Sequence, residues 1–291
     1  MPAIIEIKNL KKHFGKVKAV DGIDISVNQG EIFGFLGPNG AGKTTAIRCM
    51  MDFIRPTAGE IKILGKDARL NAAGLKSDIG YLPGSVRLYD SWSGEDHINF
   101  SSSFGGDKVR AEKLAAKLDL DLKIKFHHLS SGNKQKLGVI LALMKKPKVL
   151  IMDEPTLALD PLLQNSVHHL LLESRKAGAT IFISSHNLSE VERICDRVGI
   201  IRAGKMLTVE NIKSLKEKRM HTVTAIFSEE FKSKDFEVAG VQNIEEIDDT
   251  LVISVKGEIN PLLSELAKHK LKDLEVSHAT LEEIFLEFYQ H

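Results

Sequence analysis

The stretch GPNGAGKT at residues 37–44 constrains the fold of this chain more than any other feature. It fits the pattern G-x-x-x-x-G-K-[S/T] and directly follows the apolar run EIFGFL at 31–36. The stretch TTAIRCMMDFI at 44–54 contains no glycine or proline and predicts a helix that ends by Pro56. A glycine-rich turn between a strand and a helix exposes backbone N–H groups to a phosphate. The chain is therefore expected to adopt an α/β fold with a phosphate-binding turn.

The side chains of this turn predict a nucleoside triphosphate and a metal ion as ligands. The ammonium of Lys43 is expected to bridge the β- and γ-phosphates, and the hydroxyl of Thr44 to bind Mg²⁺. The glycines allow the backbone to curl so that successive N–H groups point inward. The candidate ATP-binding residues of the turn are Gly37, Pro38, Asn39, Gly40, Ala41, Gly42, Lys43, Thr44 and Thr45.

A pair of carboxylates follows a second apolar run, KVLIMD at 148–153. Another run, TIFISS at 180–185, comes after a helical stretch at 162–176, which predicts a strand–helix–strand unit and a buried parallel sheet. Asp153 is then placed to bind Mg²⁺, commonly through water, and Glu154 to orient and deprotonate an attacking water. Two solvated carboxylates at a strand end are the alternative interpretation.

A third motif, LSSGNKQKLG at 129–138, begins a predicted helix. Ser130, Ser131 and Gly132 would expose N–H groups and hydroxyls there as a second anion site. The alternative is an ordinary N-cap in which a serine satisfies free backbone amides.

The order GPNGAGKTT, LSSGN, VLIMDEP, LALD and SSH resembles the nucleotide-binding subunit of ATP-binding cassette (ABC) transporters over about residues 1–210. The resemblance implies that two cassettes pack head to tail. Ser130, Ser131 and Gly132 of one chain would then contact the γ-phosphate that Lys43 of the other chain holds. The cofactors it implies are ATP and Mg²⁺.

The resemblance also implies roles for three further residues. Phe14 stands where the family stacks an aromatic ring on adenine, and a core phenylalanine is the alternative. His186, after TIFISS, matches a histidine that contacts the γ-phosphate. Asp160, in LALD, matches an aspartate that helps to join the two sites. Together with Glu154 and Lys43, His186 completes the expected catalytic group.

The loop after the strand in DIGYLP, residues 78–83, departs from the family pattern, because Gly84 stands where a glutamine is usual. Gly84 and Ser85 are expected to form a mobile coupling loop, with Tyr89 and Trp92 on a partner-facing surface; a simple Pro-Gly turn is the alternative. A glutamine introduced at position 84 would then be expected to raise ATP hydrolysis or to weaken its dependence on the membrane partner. Ser130-Ser131-Gly132-Asn133 and Leu157-Ala158 are further departures from the family pattern.

The expected fold is an ABC-type P-loop NTPase core with a strand-rich lobe and a helical insert, plus a small α+β C-terminal domain. The nucleotide-binding domain would span 1–215, with the insert at about 86–146, and the accessory domain 216–291. The final segment, ATLEEIFLEFYQH, resembles the extension of exporter ATP-binding subunits. Its apolar residues Ile284, Phe285 and Phe288 would support dimer contacts or regulation, or else close the small domain's own core.

The resulting hypothesis is an ATP-hydrolysing exporter subunit that dimerises, as a homodimer or with a second cassette, and drives a separate membrane permease. It would lie on the cytosolic face of the membrane. A formal net charge of +1 gives no overall attraction to nucleic acid. The alternatives are a soluble ABC-type ATPase that acts on ribosomes or DNA, and an ATP sensor without hydrolysis. The pairs His127-His128 and His168-His169 are expected on solvated faces and not at a metal site.

Overall fold

The computed structural model describes residues 2–217, 220–229 and 231–278. It divides the chain into two compact units, Met1–Glu210 and Asn211–His291. The division lies five residues before the domain boundary predicted from the sequence. Among the described residues, no helix combines the length and the apolar character that crossing a membrane requires.

Strands and helices alternate through the first unit. In chain order its elements are β1 (Ala3–Phe14), β2 (Val17–Asn28), β3 (Ile32–Leu36), α1 (Lys43–Met50), β4 (Ala58–Ile63), β5 (Lys66–Asp67), α2 (Ala72–Asp78), β6 (Ile79–Leu82), α3 (Gly94–Ser102), α4 (Lys108–Lys117), α5 (Ser131–Leu143), β7 (Val149–Asp153), α6 (Pro161–Lys176), β8 (Thr180–Ser185), α7 (Leu188–Ile194), β9 (Arg197–Arg202) and β10 (Lys205–Asn211).

A six-stranded sheet in the order β10-β9-β3-β8-β7-β6 forms the centre of this unit. The neighbours β9-β3, β3-β8, β8-β7 and β7-β6 are parallel. Every residue of β3, β7 and β8 is buried, which explains why these strands read as continuous apolar runs. Because the strands are parallel, their carboxyl ends meet at one edge, where the motif loops begin.

A second, antiparallel sheet in the order β2-β1-β4-β5 packs its apolar face into a shared core with α1 and the central sheet. The apolar runs IIEIKN at 4–9 and GIDISV at 22–27 predict strands there, and β1 and β2 extend well beyond both runs. Register shifts interrupt the β1–β2 pairing between Ile7 and Leu10, where Asn9 has a φ of 45°. These bulges break the alternation of apolar residues, so the sequence pattern shows only part of each strand.

The helix that follows the phosphate-binding turn is shorter than predicted, because it ends at Met50 and not near Pro56. Asp52 adopts a left-handed conformation with a φ of 53°. The N–H of Phe53 then donates to the carbonyl of Arg48 at 2.9 Å, which closes the helix end. No glycine marks this end, so the sequence contains no stop signal at Met50.

The predicted helical insert contains α3, α4, a short 3-10 helix at Phe126–His128 and α5. Side chains cap all three α-helices at their N-termini. Ser93 and Asp96 form a reciprocal capping box at α3, Asp107 caps α4 and Ser130 caps α5.

The second unit contains α8 (Ile212–Glu217), β11 (Met220–Phe227), β12 (Val241–Ile247), β13 (Thr250–Lys256), α9 (Asn260–Leu266) and β14 (Leu271–His278). Its antiparallel sheet has the order β12-β13-β11-β14 and packs on α9 around Phe236. The sequence did not predict β12, because VQNIEEI is mostly exposed and polar. Ile284, Phe285 and Phe288 lie outside the described residues.

We expect residues 1–211, which include all of β10, to bind the ATP that the resemblance implies as tightly as the whole chain. The phosphate-binding turn and both carboxylates lie in a unit with its own core. Equilibrium titration with an ATP analogue checks this, with ADP as a second ligand. A folded fragment that loses binding would show that the second unit is part of the site.

Candidate functional site

The phosphate-binding turn lies between β3 and α1, where close approaches and left-handed backbone require glycine. Gly40 and Gly42 have φ values of 79° and 110°. A Cβ on Gly42 would lie 2.3 Å from the carbonyl oxygen of Ala19, and one on Gly37 would lie 2.3 Å from that of Ile201. The neighbouring backbone therefore excludes side chains at both positions.

Lys43 is buried at the start of α1 and folds back onto this turn. Its Nζ donates to the carbonyl oxygens of Gly37 at 2.5 Å and Pro38 at 3.3 Å. It also lies 3.3 Å from Oε1 of Glu154. A carboxylate oxygen thus takes the position beside the ammonium that a phosphate oxygen could take.

Thr44 and Asp153 contact each other across the carboxyl edge of the sheet. The Thr44 hydroxyl donates to Oδ2 of Asp153 at 2.7 Å, and the Ser184 hydroxyl donates to Oδ1. Asp153 is buried while Thr44 is exposed. A hydroxyl and a carboxylate held together in this way supply the oxygen ligands that Mg²⁺ prefers.

Glu154 directly follows β7 and has both carboxylate oxygens occupied. Oε2 lies 2.8 Å from Nδ1 of His186, and Oε1 faces Lys43. The backbone of Glu154 is left-handed, with a φ of 53°, and its N–H donates to Ser184. Strain of this kind costs about 1–3 kcal/mol and persists where the surroundings hold it in place. The structure therefore brings together Lys43, Glu154 and His186, the three predicted catalytic residues.

A cavity of about 570 Å³ opens beside these groups. Its volume is in the range of small-molecule sites. Burial and the Asp153 carboxylate raise the pKa of Tyr81 in its wall, and Arg48 opposes that rise. The residues that line it are Ala19, Pro38, Asn39, Gly40, Ala41, Gly42, Lys43, Thr44, Thr45, Arg48, Tyr81, Pro83, Gly84, Ser85, Arg87, Asp153 and Glu154.

Gly84 lies against Asp153 and lines this cavity with Ser85. A Cβ on Gly84 would lie 2.9 Å from Oδ2 of Asp153, while the glycine φ lies outside the left-handed region. The position therefore needs glycine for close approach and not for the backbone freedom of a mobile joint. A glutamine at 84 would displace the loop or the carboxylate, which reverses the sequence-based expectation that it would raise hydrolysis.

Phe14 is half-exposed at the end of β1, so the alternative of a core phenylalanine is wrong. Nζ of Lys12 lies 4.7 Å from the centre of its ring. The ring lies outside the lining of the cavity described above. It remains available for stacking from the hairpin that joins β1 to β2.

The second anion site of the sequence lies at the N-terminus of α5. The Ser130 hydroxyl accepts from the N–H of Asn133 at 3.2 Å, so it serves as the N-cap. Ser130 and Ser131 are exposed, and a Cβ on Gly132 would lie 3.0 Å from the carbonyl oxygen of Ala158. Asp160 likewise caps α6, by accepting from the N–H groups of Leu162 and Leu163 at 3.0 Å. None of these four predicted residues lines the phosphate cavity of its own chain.

Gln135, a buried residue of this region, was not predicted from the sequence to belong to the site. Its amide donates to the carbonyl oxygens of Glu154 at 3.0 Å and Pro155 at 3.2 Å. The side chain of Gln135 is buried, and its hydrogen bonds join the helical insert to the backbone of Glu154. A polar residue just before the apolar run LGVILALM was the available signal.

A buried carboxylate network behind the site was also missed. Glu190 accepts hydrogen bonds from Thr156 at 2.8 Å and from Ser185 at 2.6 Å, and it lies 3.3 Å from Nε2 of His168. His168 is only 5% exposed, so the expectation of a solvated face is wrong for this residue. No group of three potential metal-ligating side chains occurs among the residues that the structure describes.

Comparisons with known proteins agree with this geometry. The family profile described as "ABC transporter" matches residues 20–157. The bacitracin transport ATP-binding protein BcrA of Bacillus licheniformis is 38% identical over 215 residues, which cover 71% of this chain and 69% of that protein. The linearmycin resistance ATP-binding protein LnrL of Bacillus subtilis is 35% identical over 213 residues, which cover 71% of this chain and 68% of that protein.

A solved structure, that of an ATP-binding subunit of an ABC transporter, superposes with a TM-score of 0.68 at 27% identity. The match covers 73% of this chain and 92% of that one. The sequence relatives and the fold therefore point to the same family. The chain belongs to the ABC transporter family as one of its ATP-binding subunits, and it is an ATPase of the P-loop fold.

Proposed function

We propose that this subunit drives export by hydrolysing Mg·ATP at Glu154, as part of a pair of cassettes on a separate membrane permease. The contact of the Glu154 carboxylate with both Lys43 and His186 carries the proposal. In this arrangement Lys43 can exchange the carboxylate for a phosphate oxygen, while His186 stays on Glu154. The printed names of two relatives, which concern bacitracin transport and linearmycin resistance, support export of a toxic compound.

Binding of ATP would move the Lys43 ammonium from Glu154 to the terminal phosphates. The freed carboxylate oxygen would accept a proton from water as the water oxygen attacks the γ-phosphorus and ADP leaves. His186, on the other carboxylate oxygen, would hold Glu154 in position. Thr44 and Asp153 fit Mg²⁺, which would neutralise charge on the phosphates when bound.

The in-trans role of Ser130, Ser131 and Gly132 is part of this proposal. Ser130 and Ser131 are exposed at a helix N-terminus, which favours binding of an anion. All three residues lie outside the lining of their own chain's cavity, so a γ-phosphate on a second chain is a suitable ligand. Asp160, at the N-terminus of α6, would contribute to the same interface.

The permease would contact an aromatic cluster on the loop after Gly84 and on α3. The ring centres of Tyr89 and Trp92 lie 4.5 Å apart, and those of Trp92 and Phe100 lie 5.5 Å apart. Tyr89 and Phe100 are exposed. The N–H and Nδ1 of His127 both bind the carbonyl oxygen of Asp90, at 3.2 and 2.6 Å. The cluster is thereby joined to the segment that precedes Ser130. A permease bound to the cluster would hold the protein at the cytosolic face of the membrane.

Replacement of Glu154 with glutamine should lower the rate of ATP hydrolysis by at least about 100-fold, or about 2.7 kcal/mol of barrier. ATP binding should persist, because the amide no longer competes for Lys43. Phosphate release and equilibrium binding check the two effects. Glu173→Gln, which changes an exposed surface ion pair, is the matched control. Hydrolysis by wild type and by Glu154→Gln at equal rates would exclude Glu154 as the base, and no release by wild type would favour a sensor.

Replacement of Ser130 with arginine should abolish hydrolysis while the monomer still binds ATP, because the bulky cation obstructs the site of the opposing chain. Ser130→Ala removes the N-cap alone, at a cost of about 1 kcal/mol. Ser77→Arg places the same cation on the exposed surface of another helix. Hydrolysis, ATP binding and dimer formation by light scattering are compared. Weaker ATP binding by the Ser130→Arg monomer would contradict the in-trans assignment.

Replacement of Gly84 with alanine or glutamine should raise the Mg²⁺ concentration needed for half-maximal hydrolysis by about 5-fold or more, since the Cβ displaces Asp153, a proposed metal ligand. Gly74→Ala is the control, because a Cβ there meets no atom within 4 Å. Hydrolysis is measured against Mg²⁺ concentration at fixed ATP. Unchanged Mg²⁺ dependence in both Gly84 variants would show that the loop yields without cost.

A further inference from the structure

The loop between β6 and α3 brings an arginine into the wall of the nucleotide cavity. Arg87 lines that cavity together with Gly84 and Ser85 of the same loop. Its side chain is exposed to the cavity and solvent. Within the described part of the chain, the Arg87 guanidinium forms no hydrogen bond or ion pair, so its five donors are free for a ligand.

The charges around the cavity favour an anion near this arginine. Lys43 is paired with Glu154, and Asp153 accepts from Thr44 and Ser184. The remaining cations in the lining are Arg48 and Arg87. Arg48 lies on α1, one turn beyond Thr44, whereas Arg87 belongs to the loop that rests on Asp153. The loop that carries Arg87 therefore borders the cavity beside Asp153.

Because Gly84 has no side chain, a side-chain contact from this loop to a bound anion has to come from a later residue. The loop backbone is so close to Asp153 that a Cβ at position 84 would lie 2.9 Å from its Oδ2. The residue nearest the carboxylates thus carries no side chain toward a ligand. Ser85 has a short hydroxyl, while Arg87 has a long planar fork that matches the geometry of phosphate oxygens.

We propose that Arg87 binds the γ-phosphate of the ATP held by its own chain. This rests on the proposed function and adds a residue to the site. Lys43 at Oε1 of Glu154 marks the terminal-phosphate end of the cavity, and Asp153 beside Gly84 lies at the same end. An arginine that reaches this end distinguishes ATP from ADP. A cation that only attracts anions from a distance would favour both nucleotides alike.

The test is equilibrium binding of Mg·ADP and of a non-hydrolysable ATP analogue to the full chain, at concentrations where light scattering shows a monomer. Arg87→Ala should weaken binding of the analogue by about 5-fold or more and that of ADP by less than about 2-fold, as expected for loss of a charge-assisted phosphate contact. Arg87→Lys should fall between wild type and Arg87→Ala, because it keeps the charge and loses the fork. Retained ADP binding also reports that the variant is folded.

Two other arginines separate a specific contact from general electrostatics. Arg48→Ala removes a cation from the same cavity, and we expect it to weaken binding of both nucleotides by similar factors. Arg69→Ala removes an exposed cation outside the cavity and should change neither affinity. Equal weakening of ADP and analogue binding by Arg87→Ala, or no change in either, would overturn the proposal.

The outcome also separates this inference from the proposed function. Wild type that binds and hydrolyses ATP, together with an Arg87→Ala change that weakens analogue and ADP binding by equal factors or changes neither, would refute the role of Arg87 alone. Wild type that neither binds the analogue nor releases phosphate from ATP would refute both. The ratio of the two nucleotide affinities is therefore measured alongside wild-type hydrolysis in the same preparation.

Discussion

The parallel pairing of β3, β8 and β7 is the constraint on which the site depends. Each strand is buried on both faces, so its length and register are fixed by apolar packing and not by the ligand. Leu36 pairs with Ser185, and Asp153 with Ser184, at the carboxyl edge. The glycine-rich turn, Glu154 and His186 therefore follow neighbouring strands that are distant in sequence.

At that edge, charge balance determines the local geometry. Lys43 contacts one carboxylate oxygen of Glu154, and His186 contacts the other. Desolvation makes an unpaired charge costly here, so the lysine of the turn pairs with the acidic residue of the neighbouring strand. A phosphate offers the ammonium an alternative partner of higher charge. In the proposed mechanism, Lys43 would therefore bind the phosphate and leave one carboxylate oxygen of Glu154 without its partner.

Lys43, Asp153 and Glu154 could be predicted because each has a fixed offset from an apolar strand, whereas His186 was predicted only from the resemblance to the ABC family. Gln135 and Glu190 were not predicted, because their partners include residues 19 and 34 positions away and depend on how the helices pack. Gly84 was explained by backbone freedom, because the approach of its loop to Asp153 is a tertiary contact that the sequence pattern does not show. Strand β12 was not predicted because its exposed edge is polar, and β1 was predicted too short because bulges interrupt its periodicity.

The buried Glu190 carboxylate shows how the loops of the site are held in a common arrangement. Thr156 lies two residues after Glu154, and Ser185 directly precedes His186. The hydroxyls of Thr156 and Ser185 both donate to Glu190. A buried carboxylate is tolerated only when donors satisfy its oxygens, so movement of either loop leaves an unsatisfied charge. His168, on α6, adds a third contact from the helix that Asp160 begins. A displacement of Asp160 at an interface would move α6 and therefore His168. Their shared partner Glu190 would transmit this movement to Ser185 and to the adjacent His186, without any contact between Asp160 and His186.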